Sequence, residues 1–280
     1  MIPPFLSRSA WRERADEVVL VDVRRDGAEP GRAAYERAHL PGAVFVDLER
    51  VLSGPPSPQE GRHPLPTPEA FAEGMSRAGI GDDDTVVAYD DEGGVLAARL
   101  VWMLRVTGHA AALLDPGLRD DDRTDDGHVA RPARPFSARP WPVAALAGLA
   151  DATDPRHVVL DARSRARYLG APDPLDPRPG HVPGARSLPA RDWVGDDGRL
   201  LPEPQLRARL AGAGVEDGAP VVSGCGSGVT ACHTLLVMEH VGLTGGRLWP
   251  GSWSQYAADP HRPVELADPY AGPGTGGPGA

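Results

Sequence analysis

Lysine is missing from this chain altogether: all 29 of its basic residues are arginine. That excludes Schiff-base chemistry on a lysine and the lysine of a phosphate-binding P-loop. Any anionic substrate is left to arginine, backbone amides or a helix N-terminus. Cysteine is scarce. Two in 280 residues build no disulfide framework and fit no zinc-ligand spacing, which points to a reducing, cytoplasmic setting. No apolar run approaches the ~18 residues of a membrane span, and the opening MIPPFLSRSAWRERADE lacks the basic-then-apolar pattern of a secretory signal. A formal net charge of −10 repels a phosphate backbone. Neither nucleic acid nor membrane is an expected partner, and no metal or organic cofactor is implied.

What is present is a repeat. VVLVDVR (Val18 to Arg24) is answered by VVLDAR (Val158 to Arg163), AHLPGA (Ala38 to Ala43) by GHVPGA (Gly180 to Ala185), and DTVVAYD (Asp84 to Asp90) by APVVSGC (Ala219 to Cys225). LLDPGL (Leu113 to Leu118) is answered by RLWPGS (Arg247 to Ser252). The order is kept while the loops vary, which indicates a duplicated domain of roughly 110 to 140 residues. Short β-branched runs read as buried strands. PTPEAFAEGMSRAGI reads as a helix with Thr67 as N-cap, Pro68 at N1 and Gly79 at its stop, and PEPQLRARLAGAGV repeats that design. Alternating strands and helices predict α/β halves, each with a mostly parallel sheet flanked by helices. The predicted organisation is a first domain over residues 1–118, a linker over 119–142, a second domain over 143–266 and a disordered Gly/Pro-rich tail over 267–280. The acidic cluster of the linker reads as a solvated loop, since no fixed ligand spacing occurs in it.

The chemistry concentrates in SGCGSGVTACH, Ser223 to His233. Cys225 follows a strand and precedes a helix predicted over Val229 to Val241, where ligands sit in α/β sheets. The helix N-terminus favours a thiolate there, and Gly226 and Gly228 allow successive amides to face one point. Ser227 and Thr230 add hydroxyls. Cys225 is therefore a nucleophile candidate, whereas Cys232, further along the helix among Ala231, Leu235 and Leu236, reads as core. A phosphatase-type loop requires an arginine six residues after its cysteine; Ala231 stands there. Sulfur transfer through a persulfide needs amides and hydroxyls instead, and suits these residues.

These motifs resemble the rhodanese (sulfurtransferase) family in its tandem two-domain form. CGSGVTAC is similar to the loop of the branch that uses 3-mercaptopyruvate, and DARSRARYLG, GHVPGA and GSWSQY look like further family landmarks. The loop lacks the two cations typical of thiosulfate-using members. The resemblance implies a catalytic second domain and a non-catalytic first one, consistent with Asp90 standing where the first repeat would need its cysteine. It implies that Arg167 and Arg178 hold the substrate carboxylate and carbonyl, that Gly226, Gly228, Val229 and Thr230 cradle the sulfur, and that His63 acts with Ser227. A family acid falls near Glu49. His39 and His181 occur in both halves and read as structural turn residues. The Pro in DPG and WPGSW departs from the family's loop and removes an N–H donor. The implied activity moves sulfur from 3-mercaptopyruvate through a Cys225 persulfide to a thiol, such as thioredoxin, or to cyanide. The alternatives are a thiosulfate:cyanide sulfurtransferase and a non-enzymatic persulfide carrier.

Overall fold

Residues 2–119 and 122–270 are described in the computed structural model of the chain. The first half carries strands β1 (Phe5–Ser7), β2 (Val18–Arg24), β3 (Val44–Asp47), β4 (Thr85–Tyr89) and β5 (Ala111–Asp115). Between them run helices α1 (Arg8–Arg12), α2 (Gly31–Arg37), α3 (Leu48–Val51), α4 (Pro68–Arg77) and α5 (Ala97–Val106). The second half carries β6 (Val158–Asp161), β7 (Arg186–Ser187), β8 (Val221–Gly224) and β9 (Gly246–Leu248), with α6 (Leu149–Ala152), α7 (Arg165–Tyr168), α8 (Glu203–Gly212), α9 (Ala231–His240) and α10 (Ser252–Tyr256).

Every strand pairing is parallel. The first sheet runs β3-β2-β4-β5-β1 and the second β7-β6-β8-β9, the same order without the outer strand. A single parallel bridge from Leu146 to Leu248 stands in place of that strand. Parallel strands covered on both faces need continuous apolar runs, which is why TVVAY and VVLD carry the sheets. β1 has no sequence signal, since three residues after two prolines leave no periodicity to read.

Local signals act where they were expected. The Thr67 hydroxyl accepts from the Ala70 amide at 3.2 Å, with Pro68 opening α4 and Gly79 beyond its end at φ 75°. The repeat extends to side chains. Tyr35 donates to the Ala43 carbonyl and Tyr168 to the Ala185 carbonyl, at 2.8 and 2.7 Å. His39 stacks on Tyr35 and donates through Nδ1 to its carbonyl, and His181 does the same on Tyr168.

Residues 122–142 form no strand or helix and lie against the first half: Arg134 pairs with Asp84, Ser137 Oγ donates to Asp82, and Trp141 Nε1 donates to the Pro66 carbonyl. Of the predicted tail, residues 271–280 lie outside the described residues. Those before it are held: Asp268 accepts from Arg165 at 2.7 Å, and Arg186 covers the Tyr270 ring. The two halves meet along α5 and α9, the equivalent helices that follow β4 and β8. Among the described residues no helix is long and apolar enough to cross a membrane.

Candidate active site

The β8 strand delivers Cys225 to the seam between the halves. Only 4% of the residue is exposed, and it opens on a cavity of about 700 Å³ together with Gly226, Ser227, Val229 and Thr230. The Gly228 amide donates to Cys225 Sγ at 3.1 Å. Gly228 sits at φ 75°, and a Cβ there would run into the Pro250 carbonyl, so only glycine fits this turn. Gly226 has a different reason: a Cβ would lie 3.0 Å from Arg62 Nη2 and 3.1 Å from Arg167 Nη2. Its missing side chain makes room for two guanidinium groups beside the cysteine. Helix α9 begins at Ala231, two residues later than Val229, because 226–230 are used in the turn.

The loop is clamped from behind by α10. Trp253 and Ser254 donate their amides to the Cys225 and Gly226 carbonyls at 3.0 and 2.9 Å. Ser252 accepts from the Cys225 amide at 3.0 Å and donates to the Trp249 carbonyl at 2.8 Å. It does so from φ 49°, a left-handed conformation that costs a non-glycine residue about 1–2 kcal/mol. The two hydroxyl bonds hold it there. In the sequence Ser252 stands out only as a member of the RLWPGS and GSWSQY motifs. Cys232 is fully buried, its thiol donates to the Gly228 carbonyl at 3.5 Å, and burial pushes its pKa up to about 12. That leaves Cys225 as the thiol that faces the cavity.

The first half reaches across the seam with residues 57–63. Gly61 packs so closely that a Cβ would sit 2.5 Å from the Gly251 carbonyl, and the Arg62 amide donates to Ser254 Oγ at 3.0 Å. This brings His63 Nδ1 to 2.8 Å from Ser227 Oγ. Burial, then the Arg99, Arg62 and Arg25 cations, lower the His63 pKa to about 4, so its ring is neutral at neutral pH. Glu49 lines the same cavity, and burial raises its pKa. It has no hydrogen bond or ion pair to His63 among the described residues, so the pair stands without a carboxylate.

Arg99 was missed in the sequence. It sits fully buried on α5 and donates to the carbonyls of Leu52, His63, Pro64 and Gly228. One guanidinium thus ties the His63 segment to the cysteine loop. An arginine inside the otherwise apolar AARLVWMLRV was the available signal, since such a residue is buried only with its donors satisfied.

The cavity holds Arg167 but not Arg178. Arg167 donates to Asp176 at 2.9 and 2.6 Å and lies 3.2 Å from Asp173. Arg163 pairs bidentately with Asp161, reaches Asp176 at 3.1 Å and stacks over the Trp253 ring. Asp176 turns inward between these two cations, while Arg178 two residues on faces elsewhere. Its Nη1 donates to the Pro260 carbonyl at 3.2 Å, and its own carbonyl accepts from Trp253 Nε1 at 3.1 Å. Arg178, expected to hold the substrate, thus does not line the cavity, and its Nε and Nη2 are buried without a partner. Arg62, overlooked in the sequence, occupies the cavity instead.

The equivalent loop of the first half is closed by its own side chain. Asp90 follows β4 as Cys225 follows β8, and its two carboxylate oxygens accept from the amides of Glu92, Gly94, Leu96 and Ala97 at 2.6 to 2.8 Å. Burial pushes its pKa up, and the backbone donors pull against that shift.

Comparison with known proteins agrees with this geometry. A Rhodanese-like domain family model matches residues 8–121. A Pseudomonas aeruginosa protein named "Probable 3-mercaptopyruvate sulfurtransferase" is 38% identical over 92% of this chain and 96% of its own length. An Arabidopsis thaliana protein named "Thiosulfate/3-mercaptopyruvate sulfurtransferase 1, mitochondrial" is 33% identical over 84% of this chain and 69% of its own. Among solved structures, 3-mercaptopyruvate sulfurtransferase from Leishmania major superposes with a TM-score of 0.80 at 30% identity, covering 91% of this chain and 74% of that one.

Proposed function

This chain belongs to the rhodanese family and is a sulfurtransferase, and we propose that it takes sulfur from 3-mercaptopyruvate onto Cys225. The observation that supports this reading is a single thiol, with an amide donor at 3.1 Å, facing a cavity into which guanidinium groups converge. The Cys225 thiolate attacks the thiol sulfur of 3-mercaptopyruvate. The sulfur–sulfur bond forms as the carbon–sulfur bond breaks, and the bonding pair passes to the pyruvate enolate. The thiol's proton is returned to the enolate carbon, giving pyruvate and the Cys225 persulfide anion. Neutral His63, in contact with Ser227, is placed to carry that proton. The Gly228 amide and the turn of residues 226–230 stabilise the persulfide.

A second thiol then attacks the outer sulfur and regenerates Cys225. The acceptor is a small thiol or a cysteine of a thioredoxin-like protein, with cyanide as a laboratory substitute, and the site of action is the cytoplasm, in keeping with two free cysteines. Double displacement of this kind gives ping-pong kinetics.

Intact mass after incubation with 3-mercaptopyruvate, and separately with thiosulfate, tests the reading. The wild type should gain one sulfur from mercaptopyruvate, lose it to dithiothreitol, and gain it more slowly from thiosulfate. Cys225→Ser should gain none. Persulfide formation in Cys225→Ser, or none in the wild type, overturns it.

A further inference from the structure

We propose that Arg62, from the half that holds no nucleophile, binds the carboxylate of the donor. The proposal rests on the mercaptopyruvate reading above and names a residue for it. Six arginines line the cavity: Arg25, Arg62, Arg163, Arg165, Arg167 and Arg191. Five are engaged by carboxylates. Arg25 and Arg191 share Glu92, Arg163 and Arg167 share Asp176, and Arg165 holds Asp268. Arg62 makes no side-chain hydrogen bond or ion pair among the described residues, and its Nη1 is buried without a partner. A half-buried cation with an unmet buried donor is costly unless an anion is supplied. Burial and the neighbouring Arg167 cation lower its pKa, against the pull of Asp176 and the Cys225 thiol, and an anion placed between the two guanidinium groups relieves their mutual repulsion.

Its place is fixed and close to the chemistry. The backbone amide is tied to Ser254 Oγ across the seam at 3.0 Å. Arg62 Nη2 and Arg167 Nη2 would touch the same added methyl group on Gly226, next to the cysteine. A planar carboxylate entering here meets an unpaired fork, the geometry that arginine recognises bidentately. Arg167, held by Asp176, is left to face the keto oxygen. Donor recognition in this chain therefore spans both halves, and the site is incomplete without the first.

The test uses two donors that differ only in the group concerned: 3-mercaptopyruvate and mercaptopropanone, in which a methyl replaces the carboxylate. Arg62→Met should lower kcat/KM for mercaptopyruvate on the order of tenfold to a hundredfold, mainly through KM, as for a lost hydrogen-bonded charge. Its rate with mercaptopropanone should stay within about twofold of wild type, the range left when no charged contact is lost. Arg62→Lys should recover part of the loss, and product inhibition by pyruvate should weaken in parallel. An equal loss for both donors, or no loss for mercaptopyruvate, overturns the assignment. If wild type takes no sulfur from mercaptopyruvate, the function itself falls and the assignment with it, and that outcome is visible before any variant is made.

Discussion

His233 offers a measurement of how tightly the seam is closed. It lies on α9, is 1% exposed, meets Phe5 edge-on at 5.5 Å, and leaves its Nδ1 without a partner. Burial alone lowers its pKa from 6.5 to about 4. The unfolded chain therefore binds a proton there over a range in which the folded chain does not. Stability from this group is intact above pH 6.5 and is lost as the pH falls toward 4. A gap of about 2.5 pH units corresponds to ~3.4 kcal/mol when complete, of which ~2 kcal/mol is lost between pH 7 and pH 5. His233→Leu removes this titration and leaves the other histidines, His63 among them, to cancel in the comparison. Urea unfolding of wild type and variant at pH 7 and pH 5 should show wild type losing ~2 kcal/mol more than the variant over that interval. Equal losses in the two proteins would refute the reasoning and mean that water reaches His233 across the seam.

Two further outcomes follow from the loop and its anchor. Gly228→Ala forces a Cβ into the Pro250 carbonyl at a left-handed position. It should cost more than ~2 kcal/mol and abolish sulfur transfer, and retention of both wild-type melting temperature and activity would contradict the described turn. Arg99→Met leaves the carbonyls of Leu52, His63, Pro64 and Gly228 without their donor. A loss of ~3 kcal/mol or more by urea unfolding is expected, with Arg99→Lys in between; a Met variant within ~1 kcal/mol of wild type would show that water already serves those carbonyls.

The architecture was largely legible because its signals are local. Uninterrupted β-branched runs, the Thr67–Pro68 cap and the paired HLPGA and HVPGA turns each encode their structure within a few residues. The cysteine loop was legible for the same reason, since a turn of this kind needs glycine at 228. Residues that act across the seam were harder. Arg62 and Arg178 are both arginines beside a glycine-containing turn, and which one enters the cavity is set by tertiary packing, Gly61 against Gly251 for the first and the Pro260 carbonyl for the second, with no counterpart in spacing. Ser252 contributes through one strained torsion, which composition does not record. Arg99 left a trace, a charge in an apolar helix, but its partners are carbonyls, and carbonyls carry no sequence signature.

The carboxylate of Asp90, seated among four main-chain amides, explains how one copy of a duplicated unit can do without a cysteine at this position and keep its shape. Without an anion there, such a socket would be left with inward-pointing donors. A permanent occupant, covalently attached, removes that difficulty and makes the socket independent of any visitor. The first copy keeps its fold and still reaches its sibling, with His63 against Ser227, Arg62 in the cavity lining and Arg99 on the Gly228 carbonyl.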